Sequence, residues 1–169
     1  MEFLEKDLEQ IIWESDNELL QEKDLFIDGK KFRQLRIGNY GIADIVTIDK
    51  CYDYCHYQEK NIPYLNITVF ELKKEKVGIS AFLQSLKYCK GIKTYLEDKK
   101  PRLKFKLNIS LISKTVDTTG DFIFLTDLVN YDESDYGVIK AIDFYSFKYD
   151  INGIFFKREY GYNLVNKGF

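Results

Sequence analysis

Apolar positions along the chain follow two rhythms. Phe3, Leu4, Leu8, Ile11, Ile12, Leu19 and Leu20 recur at helical spacing with Glu and Asp on the other side, which predicts an acidic amphipathic helix over residues 3 to 22. Period-two alternation then takes over. Asp28-Gly29-Lys30 signals a turn, and Lys31 to Ile37 and Gly41 to Asp49 read as two strands of a hairpin joined at Gly38-Asn39. The polar and aromatic stretch Lys50 to Pro63 reads as a loop or irregular extension. Tyr64 to Lys73 alternates into a third strand, Val77-Gly78 turns the chain, and a helix follows from about Ile79 to Leu96. Its expected apolar side is Ile79, Phe82, Leu83, Leu86 and Ile92, and Asp98 to Pro101 stops it. Leu103 to Ile112 is the next strand, and Phe122 to Thr126, Val138 to Phe147 and Ile154 to Arg158 read as further ones. The expectation is an α/β fold with a central mixed sheet flanked by helices and a strand-rich C-terminal extension.

Length and composition bound this picture. A chain of 169 residues, 45% hydrophobic and 31% charged, is expected to form one globular domain over 1–169, with a core at about 3–113 and the extension at about 114–169. No signal peptide and no apolar run long enough to span a membrane is visible, so the expected setting is cytoplasmic. The sequons at Asn66 and Asn108 fall inside strand-like runs and read as chance matches. A net charge of −2 excludes a general polycation, so affinity for nucleic acid would need a local patch. Between Leu72 and Lys106 there are eleven Lys or Arg against three acids, whereas residues 1 to 30 carry ten acids against three bases.

Candidate chemistry comes from strand parity. Side chains two apart share a face, so Glu71 and Lys73 continue the face of Leu65, Ile67 and Val69. Asp44 likewise shares its face with Ile42, Val46 and Ile48. Burying unpaired charge costs on the order of several kcal/mol, so two strands carrying charge on an apolar face suggest a shared use. If the strands are neighbours, Asp44 and Glu71 can converge on a hard cation, Mg²⁺ or Mn²⁺, with Lys73 beside it. The plainer reading is a surface Glu71–Lys73 ion pair and an Asp44 that caps a turn.

These residues, with their order and spacing, resemble the PD-(D/E)XK (restriction-endonuclease-like) nuclease superfamily, in its RecB-type and NucS-like branch. The segments concerned are Gly41-Ile42-Ala43-Asp44, Phe70-Glu71-Leu72-Lys73 and Gln84-Ser85-Leu86-Lys87-Tyr88, with Gln84 eleven residues past Lys73. The resemblance covers about residues 5 to 96. Ala43 stands where a Pro often precedes the Asp, and the 27 positions from Asp44 to Glu71 exceed the compact members' spacing. It implies an αβββαβ core and a Mg²⁺- or Mn²⁺-dependent endo- or exonuclease acting on nucleic acid, DNA in preference to RNA. Asp44, Glu71 and the Leu72 carbonyl would hold the ion, and a first-helix carboxylate, Glu9 in preference to Glu5, would add to them. Lys73 would orient water, while Gln84 and Tyr88 would support the centre or contact phosphate. A homodimer is compatible with that class.

Other readings are weaker. Cys51-x3-Cys55-His56, with Asp53 or Cys89 as a fourth ligand, lacks zinc-finger spacing. A Cys–His nucleophile pair fails because adjacent strand residues point to opposite faces. The alternative from another class is a catalytically inactive nuclease-fold module that binds nucleic acid or a protein partner. A small-molecule enzyme using the same carboxylates has no phosphate-loop or cofactor motif behind it.

Overall fold

The structure is a computed structural model describing residues 3–116 and 136–159. The expected strand Phe122 to Thr126 lies outside these residues. Helices α1 (Glu5–Glu14) and α2 (Asn17–Glu22) lead into β1 (Lys30–Arg36), a 3-10 turn (Gly38–Tyr40), β2 (Ile42–Cys55) and β3 (Lys60–Leu72). Then come β4 (Lys76–Val77), α3 (Ile79–Lys99), β5 (Phe105–Ser113), β6 (Thr115–Val116), β7 (Ile139–Asp150) and β8 (Gly153–Glu159). Six strands form one mixed sheet in the order β1-β2-β3-β5-β7-β8, while β4 and β6 pair separately. The fold is α/β, and no helix among the described residues is long and apolar enough to cross a membrane.

β1, β2 and β3 form an antiparallel meander, and α3 carries the chain over to β5, which runs parallel to β3. β7 is parallel to β5 and β8 antiparallel to β7, so the described C-terminal strands extend the same sheet. Each face has its own core. Val46, Ile67, Val69, Ile109 and Leu111 pack with Ala81, Phe82 and Tyr88 of α3. Ile45, Phe70, Leu72 and Ile112 pack with Leu8 and Ile12 of α1 and Leu20 of α2. β5, the inner parallel strand, is buried along almost its whole length, as a strand covered on both faces must be.

Three expectations are corrected. The first helix is not continuous: Ser15 and Asp16 are extended, separating α1 from α2. Lys31 donates from β1 to the carbonyls of Ile12 (2.9 Å) and Ser15, satisfying helix-end acceptors that a continuing helix would have used. The stretch Lys50 to Pro63 is no loop, because β2 and β3 stay in register out to Cys55 opposite Lys60. None of residues 50–63 belongs to either core, so the arm needs no apolar face and shows polar and aromatic residues instead of a core pattern. On α3 the buried residues are Ala81, Phe82, Ser85, Tyr88, Cys89 and Gly91, while Ile79 and Leu83 are exposed. The helix is rolled toward its small residues because Gly91 sits against Ile37 and Tyr40, where a Cβ would lie 2.5 Å from Ile37 Cγ2.

Asn66 and Asn108, the sequon residues, stand on neighbouring strands and bond to each other, Nδ2 to Oδ1, at 2.7 Å.

Candidate metal centre

The β2–β3 ladder runs from Cys55 opposite Lys60 to Ile45 opposite Phe70. One step further along this register Asp44 meets Glu71, so the two carboxylates inferred from parity are cross-strand neighbours. Where the ladder ends, the Asp44 side chain continues it, since its Oδ2 accepts the Leu72 N–H at 3.0 Å. Glu71 is 1% exposed, and its Oε1 receives the Lys73 ammonium at 2.8 Å. Its Oε2 is the one buried side-chain nitrogen or oxygen without a hydrogen-bond partner among the described residues. Lys73 is tied to β5 by its own N–H, which donates to Ile112 O at 2.9 Å.

α1 brings two further carboxylates, and they are used differently. Glu5 lies 3.8 Å from Lys73 Nζ and accepts the Lys74 N–H at 3.3 Å. Glu9 is buried, with Oε1 taken by the Arg33 guanidinium and Oε2 by Gln34 Nε2 at 2.7 Å. The preference for Glu9 therefore meets a carboxylate whose two oxygens are already bonded, while Glu5 faces Lys73 with its side chain 46% exposed. Arg33 and Gln34 were not singled out from sequence. One signal was available: reflection about Asn39, in the hairpin connection, places Gln34 opposite Asp44.

α3 closes the centre from the other side. Tyr88 is buried, and its hydroxyl accepts from Gln84 Nε2 at 2.6 Å. Its ring lies over Gly41, where a Cβ would approach Tyr88 Cε1 to 2.9 Å and where φ is +122°. Glycine there lets Tyr88 reach the start of β2, three residues before Asp44.

Burial dominates the electrostatics. It pushes the Glu71 carboxyl up to about 7, with the Asp44 charge adding to it and the Lys73 contact opposing it. Asp44 is raised chiefly by burial, against the Leu72 N–H and Lys73, with Glu9 and Glu5 adding to the rise. Burial alone would lower Lys73, yet the bond to Glu71 holds it above its ordinary value. Burial raises Tyr88 too, the Gln84 bond opposes this, and Glu71 and Asp44 add to the rise. Asp44, Glu71, Lys73 and Tyr88 thus share one field, an arrangement common at functional centres.

As a cation site the centre is half assembled. Among the described residues no group of three or more His, Cys, Asp or Glu is arranged to hold a metal ion. Asp44 and Glu71 form a pair, and the unpartnered Glu71 Oε2 fits a hard cation, while Glu9 is held by Arg33 and Gln34. The hairpin candidates are dispersed: Cys51 donates to Asp49 at 3.3 Å and His56 packs edge-on to Tyr54. Cys89 is buried in α3, and that burial pushes its thiol up to about 12, which makes it inert. The basic segment is partly spent, since Lys106 is buried against Asp53, Lys93 pairs with Glu97 and Lys99 with Asp98.

No family model matches the sequence, and neither does any curated protein or solved structure.

Proposed function

We propose that this centre takes Mg²⁺ or Mn²⁺ and hydrolyses phosphodiester bonds in nucleic acid, DNA rather than RNA, in the manner of PD-(D/E)XK nucleases. The observation that carries the reading is Glu71 Oε2, a buried carboxylate oxygen without a partner beside a second raised carboxylate. Leaving such a group unsatisfied costs on the order of 1–3 kcal/mol, which a ligand would recover. The order of two short helices, three antiparallel sheet strands, α3 and a parallel strand β5, with the sequence pattern at Asp44, Glu71, Lys73, Gln84 and Tyr88, supports the same reading.

Asp44 Oδ1 and Glu71 Oε2 would hold the ion, with the Leu72 carbonyl and Glu5 completing the oxygen set. A bound divalent ion supplies charge to polarise the phosphate and to acidify water. Lys73, kept protonated by Glu71, orients the attacking water and offsets charge that develops on the phosphate. Tyr88 accepts from Gln84 and so keeps its own proton for a phosphate or carboxylate oxygen. Glu71, whose carboxyl burial pushes up to about 7, would have to release its proton to serve as a cation ligand.

A second reading, a module that binds without turnover, is favoured by the bonding of Glu9 to Arg33 and Gln34. One assay separates the two. Single-stranded, double-stranded and branched DNA, and RNA, are incubated with the protein and Mn²⁺ or Mg²⁺. Cleavage is expected that falls at least about 10²-fold in Asp44→Ala and in Lys73→Ala. Binding without cleavage would favour the second reading, and cleavage that survives both substitutions would remove the assigned residues.

A further inference from the structure

Consecutive residues of a regular strand point to opposite faces, so one carboxylate should not be reachable from both. Arg33 and Gln34 nevertheless both bond to Glu9, Arg33 through Nε and Gln34 through Nε2 at 2.7 Å. The backbone explains how: Gln34 has φ +48° in the interior of β1. Among the described residues the other non-glycine residues with positive φ, Asp24 and Glu59, lie just past α2 and in the β2–β3 turn, where the chain reverses. Gln34 has no such excuse.

Nor is a residue inserted there. Arg33 pairs with Ile45 and Leu35 with Ala43, so the register on both sides is unchanged and Gln34 falls opposite Asp44 without pairing to it. Regular alternation would direct Gln34 to the face of Asp44. The left-handed turn of its backbone sends the side chain to Glu9 instead, which belongs to the helix packed on the other face. Two consequences follow at once. Glu9 is fixed at both oxygens, with Arg33 further anchored by Gln10 at 2.6 Å, and the Gln34 amide is committed to Glu9 and not to the face it would share with Asp44.

We infer that Gln34 is a positioning residue of the centre: its left-handed backbone turns its amide from the face of Asp44, and that amide, with Arg33, fixes the Glu9 carboxylate beside the cation site. Left-handed backbone at a bulky residue is strained, and such strain persists where the surroundings impose it, frequently at functional sites. Glu9 bonds Gln34, which falls opposite Asp44, and follows by one turn of α1 the Glu5 that lies 3.8 Å from Lys73 Nζ, so a Glu9 fixed there adds attraction for a cation without having to move. The inference rests on the metal-centre reading and extends it to a residue that touches neither metal ligand directly.

The test titrates Mn²⁺ calorimetrically into wild type, Gln34→Gly, Gln34→Ala and Glu9→Gln, and records thermal midpoints of the metal-free proteins. Gln34→Gly accepts φ +48° freely, so its midpoint is expected to equal or exceed that of wild type. Its Mn²⁺ affinity is nevertheless expected to fall about three- to tenfold through loss of the Glu9 clamp, and Glu9→Gln to fall at least as far. Gln34→Ala keeps the strain and loses the amide, so its midpoint should lie below that of Gln34→Gly while its Mn²⁺ affinity matches. Wild-type affinity retained in Gln34→Gly would overturn the positioning role and leave the metal centre standing. Absence of Mn²⁺ binding to wild type would overturn both.

Discussion

Toward the two ends of β3 stand two carboxylate–lysine pairs that differ in what their oxygens lack. Asp53, opposite Ile62, holds Lys106 at 2.6 Å and accepts the Tyr136 hydroxyl at 2.7 Å. The rings of Tyr64 and Tyr136 lie 4.3 and 5.4 Å from the Lys106 ammonium. Burial alone would raise Asp53, but the bonds from Lys106 and Tyr136 prevail and hold it below the usual carboxylate range. Glu71 holds Lys73 at 2.8 Å, yet nothing meets its second oxygen and burial prevails. Both bonds to Asp53 fall on its Oδ2, and with its side chain 32% exposed the carboxylate stays in reach of water, whereas Glu71 is buried. The second pair leaves a buried oxygen without a partner, and under the proposed reading that difference separates a structural ion pair from a binding site more sharply than the presence of charge in a strand.

The largest effect expected from this contrast is a loss of stability between about pH 4.5 and 7, which the Glu71 pair imposes and the Asp53 pair, its carboxyl held low, does not. Glu71 has an ordinary value of 4.5 and stands at about 7 in the folded protein. A folded carboxyl that keeps its proton to higher pH stabilises the fold fully below about 4.5. That contribution is lost progressively as pH rises to about 7 and is then gone. The loss in the metal-free protein is on the order of 3 kcal/mol. Urea denaturation across this range should show wild type losing stability that Glu71→Gln does not lose. Parallel profiles for the two proteins would contradict the assignment.

Asp53→Ala should behave in the opposite way. It leaves the buried Lys106 ammonium without its carboxylate and should cost about 2 kcal/mol at neutral pH. Cleavage and Mn²⁺ binding should remain within about twofold of wild type. A loss of activity larger than the loss of stability explains would show that the hairpin arm takes part in the reaction. It would also blur the distinction between the two pairs.

Much of this was legible in the sequence because β-sheet faces impose a rule that charge violates. Asp44 and Glu71 each broke the apolar parity of a strand, and the register then set them opposite each other. The hairpin arm was illegible for the converse reason. From Lys50 to Pro63 the strands join neither core, no face has to be apolar, and Tyr, Cys and Asp alternate without a core to explain them. The break at Ser15 was hidden because the donor that meets its free carbonyls, Lys31, belongs to another element. The Arg33–Gln34–Glu9 clamp was hidden likewise, since a left-handed glutamine leaves no mark in hydrophobic pattern. On α3 the pattern favoured Ile79 and Leu83, whereas close approach to the 3-10 turn required the face that carries Gly91.

The central claim, that Asp44 and the unpartnered oxygen of Glu71 form a divalent-cation site, is tested most directly by calorimetric titration with Mn²⁺ at about pH 8 and about pH 5.5. The predicted result is one ion per chain at the higher pH and affinity at least about tenfold weaker at the lower, where Glu71 keeps its proton. Binding should be lost in Asp44→Asn and Glu71→Gln and unchanged in Asp53→Asn. Wild type that binds no Mn²⁺, or binding that survives both Asp44→Asn and Glu71→Gln, would contradict the claim.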